Sequence, residues 1–149
     1  PVGIEHLHED PNVPLDVNIL IDRHLPVLRS QHWAISWIIA SGESHIHRVS
    51  HIVTELGCSH YTNWGPLTQN FNPSKWDIVR IGCLSLANRK SLEEIVLNSV
   101  VYFPNGEWNC QDWVITVLSQ AVECNLFSGE ESKNAIGIAQ NPVSLSSLD

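Results

Sequence analysis

The chain contains no methionine, no Cys-x-x-Cys pair, no basic run and no apolar stretch long enough to span a bilayer. Each absence excludes a class. Without paired Cys-x-x-Cys spacing there is neither a zinc ribbon nor a thioredoxin-type motif. A membrane-crossing helix needs ~20 consecutive apolar residues. The longest run here, WAISWIIA at 33–40, fits a buried strand instead. Lys and Arg number eight against sixteen Asp and Glu, giving a formal net charge of −8. A phosphate backbone is a poor partner for such a chain, so neither a nucleic-acid partner nor a membrane span is expected. Charged residues make up only 16% of the chain, too few for long disordered charge tracts. Four cysteines in 149 residues do not make a disulfide-dense scaffold. The single Asn-x-Ser/Thr match, Asn72-Pro73-Ser74, carries a proline that blocks glycosylation. No charged-then-apolar leader is visible, and the chain starts at Pro1. The expectation is a cytoplasmic protein with free thiols and its initiator removed.

What is present is an ordinary apolar complement, 43% of 149 residues, enough for one core. Pro1, Pro11 and Pro14 mark an extended lead-in, followed by a mixed stretch in which Val17, Ile19 and Ile21 alternate as a strand would. The organisation expected is a lead-in over 1–29, a folded unit over 30–128 and a loosely ordered tail over 129–149. Residues 33–40 read as a buried strand with His32 at its entry, and Ser41-Gly42-Glu43 as a hairpin connection. HIHRVSHIV at 45–53 alternates, placing His45, His47, Val49, His51 and Val53 on one side. A long loop is expected over 57–75, and a strand over 76–84. Ser91 and Glu94 have capping-box spacing and predict a helix opening at Ser91. Pro104 and Asn105-Gly106 mark a turn. Asn109 is a favoured N-cap for the clearest helix, with Asp112 suited to its dipole and Cys110, Val114, Val117, Leu118 and Ala121 along one face.

All eight histidines lie in the first sixty residues, whereas the cysteines begin at Cys58. Chemistry that needs both must therefore join the two halves of the chain. Cys110 is the first residue after the expected cap, where backbone N–H groups and the helix dipole should lower its pKa and favour a thiolate. Such a thiolate is a nucleophile if an imidazole reaches it. His32 is the candidate base, and His47, on the neighbouring strand, the candidate that orients it. Cys83 and Cys124 read as packing residues, Cys58 as a loop thiol without an activator, and His51 as a surface residue. Trp33, Trp37, Trp76 and Trp113 read as core, while Trp64 and Trp108 either line a substrate groove or pack beneath the loop.

The segment WNCQDWV at 108–114 resembles the helix start of circularly permuted papain-like proteins. Relatives include the lecithin retinol acyltransferase-like enzymes, the deSUMOylating isopeptidase-like proteins and permuted NlpC-type peptidases, in which the histidine strand precedes the cysteine helix. HWAI at 32–35 is similar to their histidine strand. The pair together is similar to a group of small fungal proteins over about residues 30–128. The resemblance implies an α+β fold with an antiparallel sheet packed against the cysteine-bearing helix. It implies acyl transfer through a thioester, with Cys110 as nucleophile, His32 as base and His47 or His45 as the third member. An oxyanion would be held by the Cys110 N–H, with Gln111 or a loop residue as a second donor. The function expected is a cysteine hydrolase or acyltransferase acting on an amide, ester or thioester of a small molecule or peptide, without a cofactor. Two alternatives stand beside it: a non-catalytic binding module on the same fold, and a metal-binding β-rich protein using His45, His47 and His51.

Overall fold

The computed structural model describes residues 3–24, 26–54, 60–103 and 108–141. Seven strands and three α-helices follow one another: β1 Leu15–Asp22, β2 His32–Ser41, β3 His45–Ser50, β4 Ile52–Thr54, β5 Tyr61–Asn63, β6 Leu67–Phe71, β7 Trp76–Leu84, α1 Leu86–Leu97, α2 Cys110–Glu123 and α3 Gly129–Ala139. The class is α+β, as expected. A five-stranded antiparallel sheet runs β6-β3-β2-β1-β7, and β4 and β5 form a separate two-stranded ribbon.

Both faces of the sheet are covered, which explains why its central strands read as near-continuous apolar runs. Val17, Ile19 and Ile21 of β1 and Trp33, Ile35 and Trp37 of β2 meet the three helices in the main core. Leu20, Ala34 and Val49 face the other way, into a second cluster with Leu67, Phe71, Trp76 and Ile78. That cluster draws on all five strands. A flat five-stranded sheet would hold its edges roughly 19 Å apart, at ~4.8 Å per spacing. Here the rings of Phe71, on one edge strand, and Trp76, on the other, sit 5.2 Å apart. The sheet therefore curls around this cluster, with the helices on its outer face.

Four differences from the sequence expectation have clear causes. Leu15–Asp22, placed in the lead-in, pairs on both sides and is a central strand. The lead-in is tied down by Arg89, whose fully buried guanidinium bonds Asp10, Pro11 O, Val13 O and Leu84 O. The helix expected from Ser91 starts at Leu86, because Ser85 is the cap that accepts from the Asn88 N–H. Ser91 sits inside the helix and donates to Ala87 O. Gly129–Ala139, placed in the tail, is a helix. Ser128 and Glu131 form a complete capping box there, and Ala135 and Ala139 are buried against the core. The expected long loop contains β5, β6 and a 3-10 turn at Pro73–Lys75. The turn read at 104–107, Cys58 and residues 142–149 lie outside the described residues.

Candidate functional site

The start of α2 is built as its sequence predicts. Asn109 caps it by accepting from the Gln111 N–H at 2.9 Å, and Asp112 returns the contact by accepting from the Asn109 N–H at 2.8 Å. This box sets Cys110 as the first helical residue. The same turn is fastened to the segment that leads into β2. Asn109 Nδ2 donates to Arg29 O at 2.7 Å, Gln111 Nε2 donates to Leu28 O at 2.7 Å and to Gln31 O at 2.9 Å, and Arg29 pairs with Asp112. The Cys110 thiol donates to Gln31 O at 3.9 Å. Four successive helix residues thus grip residues 28–31, immediately before His32.

The result is a pocket of about 420 Å³ lined by Ser30, His32, Ile52, Val53, Thr54, Tyr61, Asn109 and Cys110. Cys110 and His32, the two residues named for nucleophile and base, both line this pocket, while the His32 ring also stands edge-on to Trp76 at 6.4 Å. His47 does not join them. It pairs with Ile38, six residues beyond His32 along β2, which at ~3.3 Å per residue is roughly 20 Å away. Its Nδ1 instead meets Ser36 Oγ at 3.1 Å in the second cluster, beside Phe71, and the side chain is 1% exposed. His45 stays next to His47, with ring centroids 5.9 Å apart.

The imidazole that reaches His32 is His51. His32 Nε2 and His51 Nδ1 lie 2.7 Å apart. Far from being a surface residue, His51 is 8% exposed, with Trp64 edge-on at 5.4 Å. Its reach follows from the register. Strand β3 ends at Ser50, opposite Ile35, so the residue after it swings to the level of His32.

Family models, curated proteins and solved structures give no match to this chain. The site therefore stands on its own geometry. Gln111 does not present its side chain to the pocket, since its amide is committed to Leu28 and Gln31. Trp108 and Trp64 flank the site without lining it. Trp108 packs edge-on against Tyr61 at 5.7 Å and Tyr102 at 5.2 Å, and its carbonyl accepts from the Tyr61 hydroxyl at 3.5 Å. His45, His47 and His51 do not converge, and among the described residues no group of three His, Cys, Asp or Glu side chains is placed to hold a metal ion. Cys83 and Cys124, read as packing residues, are exposed thiols.

The electrostatics correct one further expectation. The Cys110 pKa is raised, not lowered. Burial dominates, and the opposing pull of the Trp33, Cys110 and Gln111 backbone N–H groups and of Arg29 does not overcome it. Burial also lowers the His32 pKa, against the attraction of Asp22. His51 is pushed down to about 3, by burial first and His32 second. At neutral pH the pocket is thus lined by a neutral thiol and by a neutral His32, which is bonded in turn to a neutral His51.

Proposed function

We propose that this chain is a cysteine hydrolase or acyltransferase with a permuted papain-like fold, using Cys110, His32 and His51. The observation that carries the reading is the shared pocket. A cysteine at a helix start and a histidine at a strand start line the same cavity, and that histidine is held by a second imidazole. His51 takes the orienting role first assigned to His47. With His32 Nε2 engaged by His51, His32 Nδ1 is the nitrogen that accepts the thiol proton.

In this reading Cys110 Sγ attacks the carbonyl carbon of an amide, ester or thioester while His32 takes its proton. The oxyanion forms near the helix start, where the Cys110 N–H points. Collapse breaks the bond to the leaving group, which takes the proton back from His32, and leaves a thioester on Cys110. Water then gives hydrolysis, and an amine or alcohol gives transfer. The substrate is a small molecule or peptide, and the setting a fungal cytoplasm, which suits the unpaired thiols of Cys83, Cys110 and Cys124.

The test is an acyl trap. Incubation with a p-nitrophenyl ester should release a stoichiometric burst of nitrophenol and leave an acyl adduct on the Cys110 peptide by mass spectrometry. Cys110→Ala should abolish the burst. Acylation confined to Cys83 or Cys124 overturns the reading. It would favour the second one, a binding groove on the same fold, which the neutral, buried thiol also suits.

A further inference from the structure

The grip between α2 and residues 28–31 contains one side chain whose placement exceeds what a helix start requires. Gln111 is 5% exposed, and its amide nitrogen bridges two carbonyls of the facing turn, Leu28 O at 2.7 Å and Gln31 O at 2.9 Å. Its own cap is already supplied by Asn109. The second carbonyl is also the acceptor of the Cys110 thiol. Gln31 is in turn fixed from the far side, where its Oε1 accepts from Arg23 Nη1 at 2.9 Å and Arg23 pairs with Asp77. One peptide oxygen therefore receives both the thiol proton and an amide donor from the second residue of the helix.

We propose that Gln111 is a positioning residue for Cys110: it locks the turn that carries His32 against the nucleophile helix, and it shares with the thiol the Gln31 carbonyl that holds the thiol's proton. The consequence is electrostatic as well as geometric. When the thiol gives up its proton, the Gln31 oxygen is left facing sulfur's new charge. The Gln111 amide, still donating to that oxygen, offsets part of its negative end and lessens the repulsion. The charged and titratable groups around the thiol are Arg29 from the turn, which pulls its pKa down, Tyr61 from β5, whose own pKa the thiol helps raise, His32, which lines the same pocket, and Asp112, which pairs with Arg29. A Gln111 substitution changes the charge of none of them, although it removes the Gln111 Oε1 acceptor 3.5 Å from Arg29 Nη1 and leaves Arg29 paired with Asp112. The inference rests on the thiol reading of this pocket, but its test does not need turnover.

The experiment follows iodoacetamide alkylation of the Cys110 peptide by mass spectrometry across pH, in wild type, Gln111→Met and Gln111→Asn. Circular dichroism confirms that each variant is folded. Methionine keeps the length and removes the donor, so the midpoint of the Cys110 profile should rise by about half a pH unit or more. Asparagine keeps the amide but cannot span both carbonyls, so an intermediate rise is expected and serves if the methionine variant does not fold. Cys83 and Cys124 in the same samples should keep their midpoints. An unmoved Cys110 midpoint overturns the proposal, whether the rate is unchanged or is raised at every pH. The latter would make Gln111 a steric closure only. If Cys110→Ala keeps the ester burst while Gln111→Met shifts the midpoint, the catalytic reading fails and the positioning role stands.

Discussion

His47 and His51, four residues apart, behave in opposite ways, and burial alone does not separate them. His47 and His51 are both buried, and both are held neutral, with His47 pushed down to about 4 and His51 to about 3. What separates them is the partner. His47 meets a serine hydroxyl inside the curl of the sheet, whereas His51 meets the imidazole that lines the pocket. Removing each should therefore read out differently. His51→Phe keeps a ring against Trp64 but releases His32, so ester turnover should fall on the order of a hundredfold. His47→Gln keeps a polar group near Ser36 Oγ and should leave turnover within about twofold, while costing on the order of 1 kcal/mol of stability. Initial rates and urea unfolding of both variants check this. Equal losses of turnover would show that the His32–His51 contact carries no chemistry.

At the scale of elements, legibility tracked locality. The α2 cap was readable because Asn109 and Asp112 are three residues apart and answer each other. Strand 76–84 was readable because Ile78, Val79, Ile81 and Leu84 recur between turn residues, although it hides a bulge where Val17 faces Gly82 and Asn18 faces Arg80. His32 and Cys110 were readable as a pair because a strand start and a helix start are both local signals. His51 was missed because its position depends on where β3 ends and β4 turns away, a fact of register between strands. The pKa of Cys110 was misjudged for a related reason. A helix start is local, but burial is not, and burial wins here. The α3 helix shows a local signal overlooked: Ser128-Gly129-Glu130-Glu131 is a capping box in plain spacing. Ser128 Oγ accepts from the Glu131 N–H at 3.0 Å, and Glu131 Oε1 accepts from the Ser128 N–H at 2.9 Å. Ser128→Ala should lower stability by about 1 kcal/mol. Because α3 packs on β7 and α2 away from the pocket, the Cys110 alkylation profile should not move. A wild-type unfolding midpoint for Ser128→Ala would show that the box contributes nothing to the fold.

For the whole molecule, the acidic net charge and the histidines at the sheet set how stability responds to acid. His32, His47 and His51 all have folded-state pKa values below the ordinary 6.5, and burial is the first cause in each. In the unfolded chain these groups take up protons near pH 6.5; in the folded chain they resist until about 4 for His47 and about 3 for His51. Between those limits the unfolded state binds more protons, so stability rises with pH. Their contribution is complete above about pH 6.5 and drains away as the pH falls towards 4 and then 3. The Glu93 carboxyl, paired with Arg48, is raised by burial, so the folded chain takes up its proton more readily and it opposes the histidine slope at the acid end. Urea unfolding at pH 7.0, 6.0 and 5.0 should thus show stability falling by a few kcal/mol on the order given by linkage, with most of the slope already present between 6.0 and 5.0. His47→Gln should flatten that slope as well as lower the pH 7 value, since it removes one of the titrating groups. A stability that stays level down to pH 5 would mean that the three imidazoles take up protons in the fold as readily as in the unfolded chain, and would remove the grounds for a His32–His51 pair that stays neutral below pH 6.5.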